Sequence, residues 1–364
     1  MTQNADGAGL TGAMRRVLDG GDLTEAEAEA ALARLAGGSL DPAAAGAFLA
    51  ALKLKGETTA EVRGFARGMR RLAVRPEIPD TLRRRAVDVV GTGGDGSGSL
   101  NLSTGSALLA AAAGVPVVKH GNRSITSRSG SADVLERLGL PMPLGPAAAR
   151  RCLERTGFTF LFAPRFHPAM RHVAPVRRAL GVRTVFNLLG PLTNPAAPPF
   201  HVIGAWDEKV AGQLADVLSG LPIERGFVIH GEPGWDEATP CGPFTLFDVR
   251  PGRVERETRD PADLGLPRCA PADLRGGEAV TNARALRDAL GGTPGPHRDA
   301  LALGAALALE VSGVAADAQA ALARARGAIE RGAAVRLLDD LAAFGAEAPA
   351  SVPARDAAQG AAGG

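Results

Sequence analysis

The first eighty residues carry helical punctuation and no strand pattern. Thr24 with Glu27, and again Thr58 with Glu61, have the spacing of a capping box, in which each side chain satisfies the other residue's backbone N–H. The helix opened by the second pair repeats apolar residues on one face, at Val62, Phe65, Met69 and Leu72. These signals predict a small all-helical domain over residues 1–82.

From about residue 86 the pattern changes to short apolar runs that alternate with helical segments. The runs cover residues 87–90, 115–118, 200–205 and 226–229, and helices are expected at residues 103–113 and 208–218. Parallel strands are usually buried on both faces and therefore read as continuous apolar runs. The alternation predicts an α/β domain with a mostly parallel central sheet.

The remaining segments set the expected boundaries. Residues 146–180 read as helical again, and we expect them to return to the helical domain. The α/β domain would then cover residues 83–145 and 181–345. The low-complexity composition of residues 346–364 predicts a disordered tail.

Composition and charge narrow the class of protein. The 41 basic and 39 acidic residues leave a net charge of +2, which gives no support for a nucleic-acid or membrane partner. Cys152, Cys241 and Cys269 are widely spaced and odd in number, so neither a disulfide framework nor a zinc site is indicated. The chain shows no signal peptide and no apolar run long enough for a membrane span. We expect a soluble protein of the reducing cytoplasm.

The stretch VVGTGGDGSGSLNLST, residues 89–104, follows the first predicted strand and is unusually rich in glycine. It satisfies the GxGxxG pattern, but a dinucleotide-binding fold needs the third glycine to open a helix and an acid about 20 residues later. Here the loop continues, and the next strand ends in Lys119 and His120. The phosphate-binding loop of nucleotide triphosphatases is excluded as well, because no Gly-Lys-Ser/Thr follows.

Successive glycines still leave backbone N–H groups free to converge on an anion. Asn101, Ser103 and Thr104 stand where the following helix begins, at the positive end of its dipole. The loop therefore predicts a cradle for phosphate groups. Asp95 would repel a phosphate unless a divalent cation or a sugar hydroxyl lies between them.

A second constellation follows in KHGNRSITSRSGSADVLERLG, residues 119–139. Lys119 is one of only four lysines, and it stands at a predicted strand end, where the sites of α/β proteins gather. Its compact ammonium suits a phosphate. Ser127, Ser129 and Ser131 make the loop after it rich in hydroxyls.

Together these motifs resemble those of the anthranilate phosphoribosyltransferases. Further matches are FHPAMRHVAPVRRALGVRTVFNLLGPLTNP at residues 166–195 and HGEPGWDEATPCGP at residues 230–243, so that the resemblance spans roughly residues 10–344. It implies a helical domain joined by hinges to an α/β domain, and a homodimer formed through the helical part. It also implies transfer of phosphoribosyl from phosphoribosyl pyrophosphate (PRPP) to the amino group of anthranilate, in tryptophan biosynthesis.

The resemblance also implies site residues. The PRPP contacts would be Gly91, Gly93, Gly94, Asp95, Ser99, Asn101, Ser103, Thr104, Lys119 and Ser131. Two Mg²⁺ ions would be held by Ser103, Asp236 and Glu237. Anthranilate would be met by Gly91, His120, Asn122 and Arg177, of which Arg177 is distinguished from its arginine neighbours only by lying ten residues past His167. No residue is assigned acid–base or covalent catalysis, so positioning and electrostatics carry the reaction.

Alternatives stay open. A paralogue with another aromatic acceptor or a nucleic-acid-binding role, a pyrimidine nucleoside phosphorylase and a plain helical scaffold are the rivals. Two departures from the family pattern bear on them. Trp235 and Cys241 flank the acidic pair, which raises the hypothesis of an altered acceptor pocket, and Gly304 stands where an asparagine is expected.

Overall fold

The structure, a computed structural model, describes residues 4–123 and 128–347. Ser127 and residues 348–364 of the expected tail lie outside the described residues. Residues 346 and 347, also expected in that tail, instead complete the last helix, Ala333–Glu347. In the described part of the chain, no helix combines the length and apolar character needed to cross a membrane.

The N-terminal part is helical, as predicted. Its helices are α1 (Asn4–Leu18), α2 (Glu25–Ala36), α3 (Pro42–Lys55) and α4 (Thr59–Leu72). Both predicted capping boxes form, at the starts of α2 and α4. On α4, Val62, Phe65 and Met69 are buried, whereas Leu72 at the last position of the helix is 36% exposed, so the buried part of this face ends at Met69.

The rest of the chain alternates strands and helices around one sheet. The strands are β1 (Val87–Gly91), β2 (Val117–Gly121), β3 (Phe158–Phe162), β4 (Phe200–Gly204), β5 (Arg225–Gly231), β6 (Phe244–Arg250) and β7 (Arg253–Arg259). The helices are α5 (Asp80–Arg83), α6 (Leu102–Ala112), α7 (Ser131–Arg137), α8 (Pro146–Thr156), α9 (Ala163–Phe166), α10 (Ala174–Leu180), α11 (Phe186–Leu189), α12 (Glu208–Ser219), α13 (Ala279–Leu290), α14 (Pro296–Val311), α15 (Ala318–Glu330) and α16 (Ala333–Glu347). Short 3₁₀ segments occupy Pro168–His172, Gly190–Leu192, Pro261–Leu264 and Pro271–Leu274.

The sheet confirms the predicted fold class. Its strand order is β3-β2-β1-β4-β5-β6-β7, with parallel pairing from β3 through β5 and antiparallel pairing in the last two steps. Val87 of β1 lies opposite Val117 on one side and Phe200 on the other. Successive residues of β4 face two different cores, with Val202 in one and Ile203 in the other. The second core is shared with α2, α3 and α4, so the helical part packs against one face of the sheet.

Residues 146–180 differ from the expectation. They contain the edge strand β3, and α8 packs on β3 and α16, so the first half of the segment belongs to the sheet domain. The second half packs on the helical part, through the 3₁₀ segment Pro168–His172 on α2 and through α10 on α3. The short apolar run that forms β3 stands between two helical segments, α8 and α9, and a short buried run in such a context can be interpreted as a continuation of helix.

The packing of two helices explains why position 304 is a glycine. Helices α6 and α14 lie against each other, and a Cβ added at Gly304 would stand 2.3 Å from the hydroxyl of Ser106. A side chain at position 304 therefore competes with Ser106 for the same space.

Candidate active site

The glycine loop lies where α/β sheets usually bind ligands. Strand β1 pairs with β2 on one side and with β4 on the other, so the chain reverses its direction of travel across the sheet at β1. Ligands of open α/β sheets bind outside the carboxyl ends of the strands at such a switch point. The loop that follows Gly91 begins at this place.

A loop from a distant part of the chain closes over the same place. Residues 235–238, which we call the carboxylate loop, follow β5. The carboxylate of Asp236 accepts the Gly93 N–H at 2.6 Å across 143 residues of sequence, and that of Glu237 accepts the Ser103 N–H at 3.0 Å across 134. Asp95 in turn accepts the Asp236 N–H at 3.3 Å. The structure thus gathers the predicted carboxylates beside Ser103.

Glycines at the strand ends make room for the carboxylate loop. A Cβ at Gly91 would lie 2.4 Å from the Asp236 carboxylate, one at Gly204 would lie 1.6 Å from the Asp236 carbonyl oxygen, and one at Gly231 would lie 2.0 Å from the Glu237 carbonyl oxygen. The sequence analysis missed Gly204 and Gly231. The structure shows what they share with Gly91, because each of the three is the last residue of its strand.

The glycine loop itself needs glycine at its tip. Gly93, Gly94, Gly96 and Gly98 have φ angles of +67°, +75°, +72° and +60°, a region that other residues adopt only with strain. Asp95 stabilises the turn from within, since its carboxylate accepts both the backbone N–H and the hydroxyl of Ser97. That hydroxyl lies 3.2 Å from the Ser99 hydroxyl.

Lys119 is the cation nearest to these carboxylates. It is 1% exposed, and its ammonium donates to the Val89 carbonyl oxygen and, at 3.3 Å, to the Ser103 hydroxyl. Burial lowers the pKa of Lys119, while Asp88, Glu237 and Asp236 oppose that shift. Burial also raises the pKa of Asp88 to about 6.

The carboxylate loop holds two acidic side chains next to each other, Asp236 and Glu237. Burial raises the pKa of Asp236, and the neighbouring Asp95 raises it further. Burial likewise raises the pKa of Glu237, with Asp236 adding to the shift. A divalent cation would relieve both effects, and carboxylate and hydroxyl oxygens are suitable ligands for Mg²⁺. Among the residues that the structure describes, no group of three or more His, Cys, Asp or Glu is close enough to hold an ion alone. An ion here would need further oxygen atoms from a substrate.

The hydroxyl-rich loop closes the other side of the cradle. The Thr104 hydroxyl donates to the Ser131 hydroxyl at 3.0 Å, and the Asn101 amide donates to the Ser129 carbonyl oxygen at 3.1 Å. The carboxamide oxygen of Asn101 accepts from Asn282 at 2.8 Å. Asn282 of α13 is 2% exposed and was not predicted, because nothing near it in the sequence marks it as part of the site.

His120 is the fourth residue of β2, and Asn122 comes directly after this strand. His120 is buried, its ring Nδ1 lies 3.2 Å from the Gly190 carbonyl oxygen, and its ring centroid is 5.1 Å from that of His167. Burial lowers the pKa of His120 to about 3 and that of His167 to about 4, so both imidazoles are neutral at pH 7. Asn122 is exposed, and its carboxamide oxygen accepts the Arg123 N–H at 2.8 Å.

Arg177 stands apart from the phosphate cradle. Its guanidinium carbon lies 5.3 Å from the ring centroid of Phe186, the first residue of α11, and α11 leads directly to Gly190 beside His120. Burial lowers the pKa of Arg177. Its guanidinium forms no hydrogen bond or ion pair with another described residue, and a guanidinium can bind a carboxylate with two parallel hydrogen bonds.

Comparison with known proteins agrees with this geometry. A family model described as the a/b domain of a glycosyl transferase family matches residues 83–335, and a model of its helical bundle domain matches residues 11–73. A protein of Desulforudis audaxviator named anthranilate phosphoribosyltransferase is 48% identical over 332 residues, which are 91% of this chain and 95% of the relative. The chain belongs to the anthranilate phosphoribosyltransferase family.

Solved structures of anthranilate phosphoribosyltransferases share the fold. That of the Thermus thermophilus enzyme matches with a TM-score of 0.85 at 43% identity and covers 92% of this chain and 99% of its own. That of the Saccharomyces cerevisiae enzyme, solved in complex with PRPP and Mg, has a TM-score of 0.84 at 25% identity and covers 93% of this chain and 98% of its own.

Trp235 and Cys241, which flank the acidic pair, lie away from the residues that were expected to contact the acceptor. Trp235 is 6% exposed and packs in the sheet core opposite the helical part, so the structure does not support an effect of Trp235 on an acceptor pocket. Cys241 lies with its Sγ 3.7 Å from that of Cys269, and both are free thiols. The two cysteines are therefore neighbours in the fold, although 28 residues separate them in the sequence.

Proposed function

We propose that the chain transfers the phosphoribosyl group of PRPP to the amino group of anthranilate and releases pyrophosphate. The observation that carries this proposal is the pair of hydrogen bonds from Gly93 and Ser103 to Asp236 and Glu237. They join an anion cradle to a cation-binding loop, and a substrate with a pyrophosphate group needs both. The function of the relatives and the match to PRPP-bound yeast enzyme support the same conclusion.

PRPP would occupy the carboxyl end of β1. The backbone N–H groups of the glycine loop would meet the pyrophosphate, and Asp95 would contact it through a metal ion or bind a sugar hydroxyl. Ser103, Thr104, Lys119 and Ser131 would supply hydroxyls and a positive charge to the phosphates. Asn101 would act with its second amide hydrogen, since the first already bonds to Ser129.

Ser103, Asp236 and Glu237 would hold two Mg²⁺ ions. The fit rests on the donor set, because these residues place two carboxylates and one hydroxyl beside the cradle and leave the remaining positions to phosphate oxygens. When bound, Mg²⁺ neutralises the negative charge that develops on the departing pyrophosphate. Lys119 adds a fixed positive charge on the opposite side of Ser103.

Anthranilate would bind between β2 and α10. Arg177 would grip its carboxylate with two parallel hydrogen bonds, and the amide of Asn122 and the neutral ring of His120 would line the pocket near Gly91. A neutral imidazole does not compete with Arg177 for the carboxylate. This arrangement separates the acceptor residues from those that hold the donor.

The chemistry needs no strong base. The aromatic amine is neutral at pH 7 and attacks C1 of the ribose through its nitrogen lone pair, while the bond from C1 to the pyrophosphate oxygen breaks and the amine then loses a proton to solvent. The barrier lies in the departure of pyrophosphate from a carbon that becomes positively charged. Oriented N–H groups and Lys119 favour that departure, and the fixed geometry of the two substrates supplies the rest.

The assembly and location are part of the same proposal. We infer a helical domain over residues 1–82 that closes on the α/β domain, and a cytoplasmic homodimer. Leu18, Leu54 and Val182 are 65%, 88% and 58% exposed, and they lie on α1, on α3 and just beyond α10, helices that pack on one another. Such unpartnered apolar residues on the helical part suit a dimer interface.

The test is an assay of purified protein with PRPP, Mg²⁺ and anthranilate that follows the loss of anthranilate fluorescence. We expect turnover that stops when PRPP is omitted or the metal is chelated, and that returns when Mg²⁺ is restored. Turnover of other aromatic amines but not of anthranilate would indicate a paralogue with a different acceptor. Phosphate-dependent cleavage of a pyrimidine nucleoside, or oligonucleotide binding without turnover, would contradict the proposal.

A further inference from the structure

The tip of the glycine loop depends on contacts from outside it. Four glycines with positive φ leave the unfolded loop many backbone conformations, so its ordered form must be held by its neighbours. One contact is the bond from the Gly93 N–H to Asp236. Because Asp236 is a proposed metal ligand, its carboxylate would bind the ion in addition to the Gly93 N–H. The loop tip therefore needs a second contact that does not involve Asp236.

Arg183 provides that contact. Its guanidinium donates to the Gly94 carbonyl oxygen at 2.5 Å, from the connection between α10 and α11. A guanidinium is always charged, and a charge-assisted hydrogen bond is stronger than a neutral one. Gly94 also suits this approach, since a Cβ there would lie 3.1 Å from the guanidinium nitrogen.

Trp206 holds Arg183 in place. The guanidinium carbon lies 4.2 Å from the Trp206 ring centroid, a distance at which cation and ring attract each other. The Trp206 backbone N–H donates to the Thr92 hydroxyl at 3.3 Å, so this residue also touches the start of the loop. Both side chains line a cavity of about 190 Å³ that also contains Lys53 and Gln213.

The direction of this hydrogen bond matters for an anion. The C=O and N–H of a trans peptide point in opposite directions, so a Gly94 carbonyl turned towards Arg183 turns the Asp95 N–H away from it. A cation on the carbonyl also polarises the peptide and strengthens that N–H as a donor. We infer that Arg183 is a positioning residue for PRPP, and that Trp206 acts through it by holding its guanidinium. This inference rests on the proposed function.

The same connection also links the two substrates. Arg183 follows the proposed acceptor ligand Arg177 by six residues on the continuous segment from α10 to α11. A shift of α10 when an acceptor carboxylate binds would therefore reach the donor loop through Arg183. Substitution of Arg183 should therefore weaken the binding of PRPP more than that of the acceptor, because only PRPP is held through the Gly94 peptide.

The experiment compares Arg183→Met, Arg183→Lys, Trp206→Leu and the double variant Arg183→Met/Trp206→Leu with the wild type. Lys53→Met is the matched control, because it removes a positive charge from the same cavity without touching the loop. The KM for PRPP and the KM for anthranilate are measured separately, PRPP binding with Mg²⁺ is followed by calorimetry, and Tm reports folding.

We expect Arg183→Met to raise the KM for PRPP about tenfold and to leave the KM for anthranilate within about twofold, since one charged hydrogen bond is lost. Arg183→Lys should raise the KM for PRPP less than Arg183→Met does, and Trp206→Leu should raise it about threefold. The double variant should resemble Arg183→Met alone, because Trp206 acts through Arg183. Lys53→Met should behave like the wild type.

Three results would overturn the inference alone, with the wild type active. They are an unchanged KM for PRPP in Arg183→Met, an equal rise of both KM values together with a lower Tm, and additive effects in the double variant. A wild type that neither binds PRPP nor consumes anthranilate would instead overturn the proposed function and the inference with it.

Discussion

A methyl group at Gly204 tests whether the carboxylate loop must lie on the strand ends. In Gly204→Ala the added Cβ would stand 1.6 Å from the Asp236 carbonyl oxygen and 2.6 Å from its carbonyl carbon, and real Cβ contacts do not fall below 3.0 Å. Both atoms belong to the backbone, so no side chain can rotate away. The loop must move by about 1.4 Å to bring 1.6 Å to 3.0 Å.

That displacement is large compared with the hydrogen bonds it disturbs. The bonds from Gly93 to Asp236 and from Ser103 to Glu237 measure 2.6 and 3.0 Å, and a shift of this size in the wrong direction breaks both. A misplacement of about 1 Å can cost about 100-fold in rate, and overpacking costs about 1–3 kcal/mol of stability. We expect kcat/KM to fall about 100-fold, with a raised Mg²⁺ requirement.

The assay follows anthranilate fluorescence across a Mg²⁺ titration, with Tm measured by circular dichroism. Gly212→Ala is the control, because its Cβ would meet only the Phe247 ring at 3.7 Å, an ordinary contact, and alanine favours the helix there. Full activity of Gly204→Ala at wild-type Mg²⁺ levels would refute the reasoning. A folded control that loses activity equally would also contradict it.

Three further predictions concern single side chains. Arg177→Met should raise the KM for anthranilate by about 10- to 100-fold, because a bidentate charged contact is lost, while Arg178→Met on the exposed side of α10 should not; equal effects would refute the assignment. Glu237→Gln should raise the Mg²⁺ concentration for half-maximal activity at least about tenfold, since one charged ligand becomes neutral, and an unchanged titration would remove Glu237 from the site. Burial lowers the pKa of His201 from 6.5 to about 3, so the unfolded chain binds a proton that the folded one refuses, and stability present above pH 6.5 falls as pH drops. The loss is about 1.4 kcal/mol per pH unit below 6.5, so His201→Leu should flatten the fall of Tm between pH 6.5 and 5, and an unchanged slope would contradict the burial argument.

The elements with strong local patterns were predictable. Their signals lie within a few neighbouring residues of the sequence, as in the capping boxes of α2 and α4 and the apolar runs of β1, β2, β4 and β5. The strands β3, β6 and β7 were missed. β3 is as long as the predicted strands β1, β2 and β4, but it lies between helical segments, and the whole stretch 146–180 was interpreted as helical. β7 carries mostly exposed polar residues that resemble a loop.

The features of the candidate site also differ in whether the local sequence predicts them. The glycine loop could be interpreted as an anion cradle from its own residues, whereas the pairing of Asp236 and Glu237 with it came only from the resemblance. Contacts across more than 130 residues leave no local pattern, because they depend on how the sheet closes. Arg183 and Asn282 were missed for this reason, since each acts through a partner that is distant in the sequence.

Arg177, the proposed acceptor ligand, lies on a different structural layer from the glycine loop. Arg177 belongs to a short helix that packs on α3, while the proposed donor site lies at the carboxyl ends of the central strands. On the proposed function, substitutions on that helix should change the preference for the nucleophile, while His120 and Asn122 continue to line the acceptor pocket and Arg183 continues to hold the glycine loop. Libraries built on residues 174–180 should yield catalysts for other aryl amines that still consume the same activated sugar.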